Sequence, residues 1–141
     1  MIMEEIVKNI IDKIYPKIKA DYGLSKWDDF PKVEIHRNIY EMASGIEGME
    51  GEDNAQANFC RHSNTIQLFY SEIRDTKHVI QCLLHEYRHY LQSATWFKRY
   101  YKMGYEYTNH PYELAAIAEE SNWKKYAKML GEAKYCSYIT V

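Results

Sequence analysis

Cysteine is scarce in this chain: three among 141 residues, Cys60, Cys82 and Cys136, an odd number at irregular spacing. Such a set builds no disulfide framework, so an apolar core must hold the fold. Long apolar runs are missing too. No segment approaches the ~20 residues that cross a bilayer. Glu4, Glu5 and Lys8 interrupt the stretch where a secretory leader needs its apolar centre. Nor is there an excess of positive charge: 18 Lys and Arg stand against 20 Asp and Glu, mixed along the chain, for a net −2. That leaves no broad basic face for nucleic acid. Internal repeats and long linkers are also lacking. The expectation is one domain over residues 1–141, without nucleic-acid or membrane partners, in a reducing, cytoplasmic setting; nothing in the sequence speaks to oligomeric state.

What is present is ample material for a core, 46% hydrophobic and 15% aromatic. Ile6, Val7, Ile10, Ile11, Ile14 and Ile18 recur at helical spacing, which predicts an amphipathic helix over 3–20. Pro16 predicts a kink or a divided last turn, and Gly23 a stop. Lys32 to Arg37 alternates like a half-buried strand. The glycine-rich, acidic stretch 41–54 reads as a loop, able to act as a lid. Ala55–Arg61 and Thr65–Tyr70 read as a hairpin across His62-Ser63-Asn64. A helix over 76–94, capped by Asp75 or Thr76, follows. An irregular aromatic link over 96–110 leads to a helix over 111–130, with Pro111 in its first turn. Residues 131–141 are undecided between tail and strand. The class expected is α+β with a small, mostly antiparallel three-stranded sheet.

The helix over 76–94 carries His85-Glu86-Tyr87-Arg88-His89 inside the apolar run that starts at Val79. Histidines four apart on a helix share a face, their Cβ atoms about 5–6 Å apart. Both imidazoles can then reach one ion at the ~2.0–2.1 Å of a zinc–nitrogen bond. Glu86 points about 100° further round the helix, away from direct coordination but within reach of a water at the ion. Two ligands and one base are the parts that metal-assisted hydrolysis uses. Burying two histidines and a carboxylate with no such purpose is costly. His78, His36 and His62 read as surface, strand and turn residues, and Cys82 as a buried thiol.

A hydrolytic zinc site takes three protein ligands and keeps one position open. The spacing that would supply a third histidine soon after the second fails, because Gln92 and Thr95 stand there. Glu113, at the start of the next long helix, is the preferred third ligand, with His110, Glu119 and Glu120 as competitors. Ala115, Ala116 and Ala118 would let the two helices approach closely. Glu120, two turns after Glu113, can accept the free ring N–H of His85 or His89.

At these residues the chain resembles the zincin metallopeptidases. More narrowly, it is similar to their glutamate-liganded branch, the gluzincin-like and ImmA/IrrE-like small proteases. The resemblance rests on His85-Glu86-x-x-His89, the strand Thr65–Tyr70 before that helix, and Glu113-x-x-Ala116. It spans about residues 30–125, and only the five-residue motif is specific. Many gluzincins have an Asp four residues after the ligand Glu, where this chain has Ile117. The resemblance implies one Zn²⁺, hydrolysis of peptide bonds, and an edge strand that aligns a protein or peptide substrate beside the active helix. The roles expected are His85, His89 and Glu113 as ligands, Glu86 as general base, and Glu120 behind a ligand histidine. Tyr107 and His110 are candidates for oxyanion stabilisation. Thr65, Ile66, Gln67 and Leu68 are candidates for strand addition. The alternatives are a zinc-binding interaction module without turnover, and an inhibited form whose tail or acidic loop fills the cleft.

Overall fold

The computed structural model describes residues 2–39 and 55–131. The loop expected over 41–54 and the segment after Gly131 lie outside them. In chain order the elements are α1 (Glu4–Tyr22), β1 (Lys32–His36), β2 (Ala57–Cys60), β3 (Thr65–Phe69), α2 (Thr76–Leu91), α3 (Ala94–Lys102), α4 (Pro111–Glu119) and α5 (Trp123–Ala127). Short 3-10 turns follow β3 and flank α5, at Tyr70–Glu72, Glu120–Asn122 and Lys128–Leu130. The class is α+β, as the patterning predicts.

The sheet is mixed, in the order β1-β3-β2. The hairpin β2–β3 is antiparallel, and Asn64 takes the left-handed conformation in its turn at φ 51°, which Asn tolerates better than most residues. β1 instead joins β3 in parallel. Burial explains this placement. In β3, Thr65, Ile66, Leu68 and Phe69 are all buried, whereas β1 and β2 are exposed or half-buried throughout. A strand apolar on both faces needs a neighbour on each side. The register lines Val33, Ile66 and Phe59 into one row and Ile35, Leu68 and Ala57 into the next. Both rows pack into the core with Ile10, Ile14 and Ile18 of α1 and Ile80, Leu83 and Leu84 of α2. Each such fully buried aliphatic side chain stabilises the fold by about 1.5–3 kcal/mol.

α1 runs continuously from Glu4 to Tyr22 with Pro16 inside it, so its last turn is not divided there. Pro16 lies on the exposed face, where the carbonyl freed at Asp12 can turn to water. Gly23 ends the helix at φ 77°, its N–H donating to Lys19 O at 2.8 Å. Three tyrosines then fasten the segment 23–31 to the helices beneath the site. Tyr87 donates to Gly23 O at 2.6 Å, Tyr90 to Asp28 O at 2.8 Å, and Tyr15 to Pro31 O.

The predicted helix over 76–94 ends earlier, at Leu91, because Gln92 turns extended and Ser93 caps a new helix by accepting from Trp96 N. That helix, α3, occupies much of the link expected to be irregular. The helix expected over 111–130 is divided. At the break the Ser121 hydroxyl donates to Ala118 O at 2.8 Å, a local bond that competes with the helical ladder. Among the small residues, Ala116 is fully buried, Ala115 is half-buried and Ala118 faces solvent.

Candidate metal centre

α2 begins with a capped turn, the Asp75 carboxylate accepting from His78 N at 2.9 Å. One face of α2 packs on β2 and β3, and another on α4 and α5. His85, Glu86 and His89 fall between these contacts, where the helix borders a cleft. α4 starts at His110, whose ring accepts from Tyr112 N at 3.1 Å, with Pro111 pre-set for the first turn. This brings Glu113 against the histidine face of α2.

His85, His89 and Glu113 converge, each offering one ligand atom within 4.8 Å of the others. His85 Nε2 is 2.7 Å from Glu113 Oε1, and His89 Nε2 is 3.2 Å from Glu113 Oε2. His89 and Glu113 are buried and His85 nearly so. The donor set suits a metal ion: four-coordinate zinc at ~2.0–2.1 Å holds its ligand atoms about 3.3 Å apart. The outer ring nitrogens are engaged as such a site requires. His85 Nδ1 donates to Glu120 Oε2 at 2.8 Å, and His89 Nδ1 to Gln92 Oε1 at 2.8 Å. Both Nε2 atoms are thereby left facing inward.

Charges at the centre are strongly coupled. Burial disfavours the imidazolium of His85, but the Glu113 hydrogen bond, the Glu86 charge and the Glu120 hydrogen bond outweigh it, and its pKa rises to about 9. Burial likewise opposes ionisation of Glu113, yet the hydrogen bonds from His85 and His89 prevail and lower its pKa to about 2. Glu86 goes the other way. Burial raises its pKa against the pull of the two histidines, with Glu113 and Glu120 adding to the rise. His85 and Glu113 thus favour their charged forms, while the carboxylate beside them is biased toward holding a proton.

Two clefts meet at this point. One, of about 360 Å³, extends toward the N-terminal half of α2 along Gln56, His78, Gln81, Cys82 and Glu120. The other, of about 430 Å³, extends toward α3 along Asn58, Phe59, Arg61, Phe97 and Lys98. Ala57, His85, Glu86 and Tyr107 line both. The Tyr107 ring is largely exposed, and its phenol is pushed up in pKa by burial of the hydroxyl, then by the charges of Glu113 and Glu86.

Other expectations are corrected by the geometry. His110 is fully buried; it donates from Nε2 to Phe97 O at 2.9 Å and accepts at Nδ1 from Tyr112 N, so no ring nitrogen is free for the cleft. His110 caps α4 and ties it to α3. Glu119 is turned toward α1, accepting from Tyr22 OH at 2.7 Å. His78 is buried rather than at the surface, paired with Gln56 Oε1 at 3.0 Å. Thr65, Ile66, Gln67 and Leu68 belong to the central strand, paired on both edges, which closes them to strand addition.

Among the described residues, the edge strand beside α2 is β2. Phe69 N donates to Gln56 O at 2.9 Å, which sets the alternation of the antiparallel ladder. With the register Asn58↔Gln67 and Cys60↔Thr65 bonded inward, the backbone groups of Ala57 and Phe59 point away from the sheet. Sequence reasoning missed β2 as the edge because edge position depends on which strands pair, not on local pattern. It also missed Gln92, although that residue lies three positions after His89, a spacing that shares a helix face.

No helix among the described residues is long and apolar enough to cross a membrane. Comparison with known protein families, with curated proteins and with solved structures gives no match.

Proposed function

We propose that this chain is a zinc-dependent peptidase. The observation that carries the reading is the convergence of His85, His89 and Glu113 beside Glu86, in a cleft walled by β2, an edge strand among the described residues. Two imidazoles and one carboxylate are a ligand set that hydrolytic zinc sites use, with a fourth position left for water or substrate. When bound, zinc polarises a carbonyl and lowers the pKa of water to about 7.

The chain's own residues supply the rest. Glu86, one step round the helix from His85, takes the proton of the attacking water and delivers it to the leaving amine nitrogen. Its raised pKa suits that return of the proton. Tyr107 lines both clefts, which supports it as the donor to the oxyanion as charge develops on the substrate carbonyl. An extended peptide pairs with the outward N–H and C=O groups of Ala57 and Phe59, which carries its scissile bond past Glu86.

The test is Glu86→Gln, assayed for zinc content and for cleavage of a mixed peptide library. Zinc should be retained and cleavage should fall at least about 100-fold. Unchanged cleavage removes this mechanism. A wild-type chain that binds zinc yet cleaves nothing at any pH would be an interaction module instead.

A further inference from the structure

We infer that Gln92 is a positioning residue that sets two of the three ligands at once, an inference that rests on the metal-centre reading above. Gln92 is 6% exposed, at the residue where α2 ends. Its Oε1 accepts from His89 Nδ1 at 2.8 Å, and its Nε2 donates to Tyr112 O at 2.9 Å. The second contact fixes the first. A carbonyl only accepts, so the amide must present its nitrogen to Tyr112 and its oxygen to His89. His89 is therefore held with its Nδ1 proton on Gln92, so that Nε2 is the nitrogen it would present to an ion beside Glu113.

The same amide acts on the third ligand through the backbone. Tyr112 immediately precedes Glu113, and its peptide groups are held on two sides. Its carbonyl accepts from Gln92, while its N–H donates to the buried ring of His110. One buried side chain thus orients an imidazole on α2 and anchors the first turn of α4. His85 has a different arrangement, since its outer nitrogen meets the ionisable Glu120. The neutral amide orients His89 without adding charge to the site.

The test compares wild type, Gln92→Met and Gln92→Glu by zinc affinity in chelator competition, with folding checked by near-ultraviolet circular dichroism. Methionine matches the side chain in length and offers His89 no comparable acceptor. Glutamate keeps the acceptor and loses the donor to Tyr112. Gln92→Met should bind zinc about 10–100-fold more weakly, and Gln92→Glu, which keeps the His89 acceptor but loses the anchor on Tyr112, should fall between Gln92→Met and wild type. A merely structural role would not separate them in this order. Nitrogen-15 spectra of zinc-loaded wild type should show His89 protonated at Nδ1, with a slowly exchanging proton. Either variant with wild-type affinity, or Gln92→Glu as weak as Gln92→Met, overturns the inference. So does a wild-type His89 that binds zinc through Nδ1, whether or not the variants fold. A wild-type chain that binds no zinc overturns the metal-centre reading itself.

Discussion

Glu120 accepts the Nδ1 proton of His85 at 2.8 Å across 35 positions of sequence, from the residue at which α4 gives way to a tighter turn. The carboxylate fixes the ring and raises its basicity as a ligand. Glu120→Ala should weaken zinc binding about 10–100-fold, measured by competition with a chromophoric chelator, while Glu120→Gln should lose less because its amide oxygen still accepts.

The edge of β2 offers a clean separation of binding from folding. The Ala57 N–H points away from the sheet, so Ala57→Pro removes no ladder bond. It does remove one donor from the path of an extended peptide, a bond contributing about 0.5–1.5 kcal/mol. Cleavage should drop roughly 3- to 10-fold in kcat/KM by that magnitude, with zinc affinity unchanged. Loss of zinc binding in this variant would show that the strand and the centre are coupled.

Metal removal should cost stability. An ion held only by the folded chain adds about 2.7 kcal/mol at a free concentration 100 times its Kd. For a domain of this size, chelation should lower Tm by about 5–10 °C, read by calorimetry with and without a chelator. Glu113→Ala should start from the lower Tm and show no further drop.

Tyr87 is 1% exposed and donates to Gly23 O at 2.6 Å. Tyr87→Phe keeps the ring stacked near Tyr15 and Tyr90 but strands that carbonyl. Denaturant unfolding should show a loss of about 1–3 kcal/mol, with zinc affinity preserved.

Two cysteines should differ sharply in reactivity. Burial, then the charges of Glu86 and Glu120, push the Cys82 thiol far up in pKa. Hydrogen bonds from Ser63 pull Cys60 below its ordinary value, and Cys60 is only half-buried. Alkylation of the native chain at pH 8, followed by peptide mass spectrometry, should label Cys60 at least about 100 times faster than Cys82. Equal rates would mean that α2 opens readily.

The parts of this architecture that were legible are those governed by short-range geometry. His85 and His89 are one helical turn apart, so their shared face follows from helix pitch alone. Asp75, Gly23 and Pro111 mark element ends through their own backbone preferences. Glu113 was within reach because a capped helix start so soon after α2 has few places to go. What resisted was set by partners distant in sequence. β3 lies between β1 and β2 because its two faces are both apolar, yet the same residues would also suit an edge. Sequence reasoning missed α3 although Phe97, Tyr100 and Tyr101 stand at i, i+3 and i+4, one helix face that gathers around the buried His110; Trp96 before that face and Tyr105 and Tyr107 after it masked the period. The break at Glu120 arises where that side chain is held by His85, a contact invisible to local pattern.

All the candidate ligand side chains, and the groups that orient them, come from α2, α4 and the residues that close them, whereas the edge proposed for an extended chain comes from β2. The proposed chelation and the proposed presentation are therefore housed on different elements. On the proposed reading, a descendant whose strand rim is blocked would go on capturing an ion while no peptide reached it.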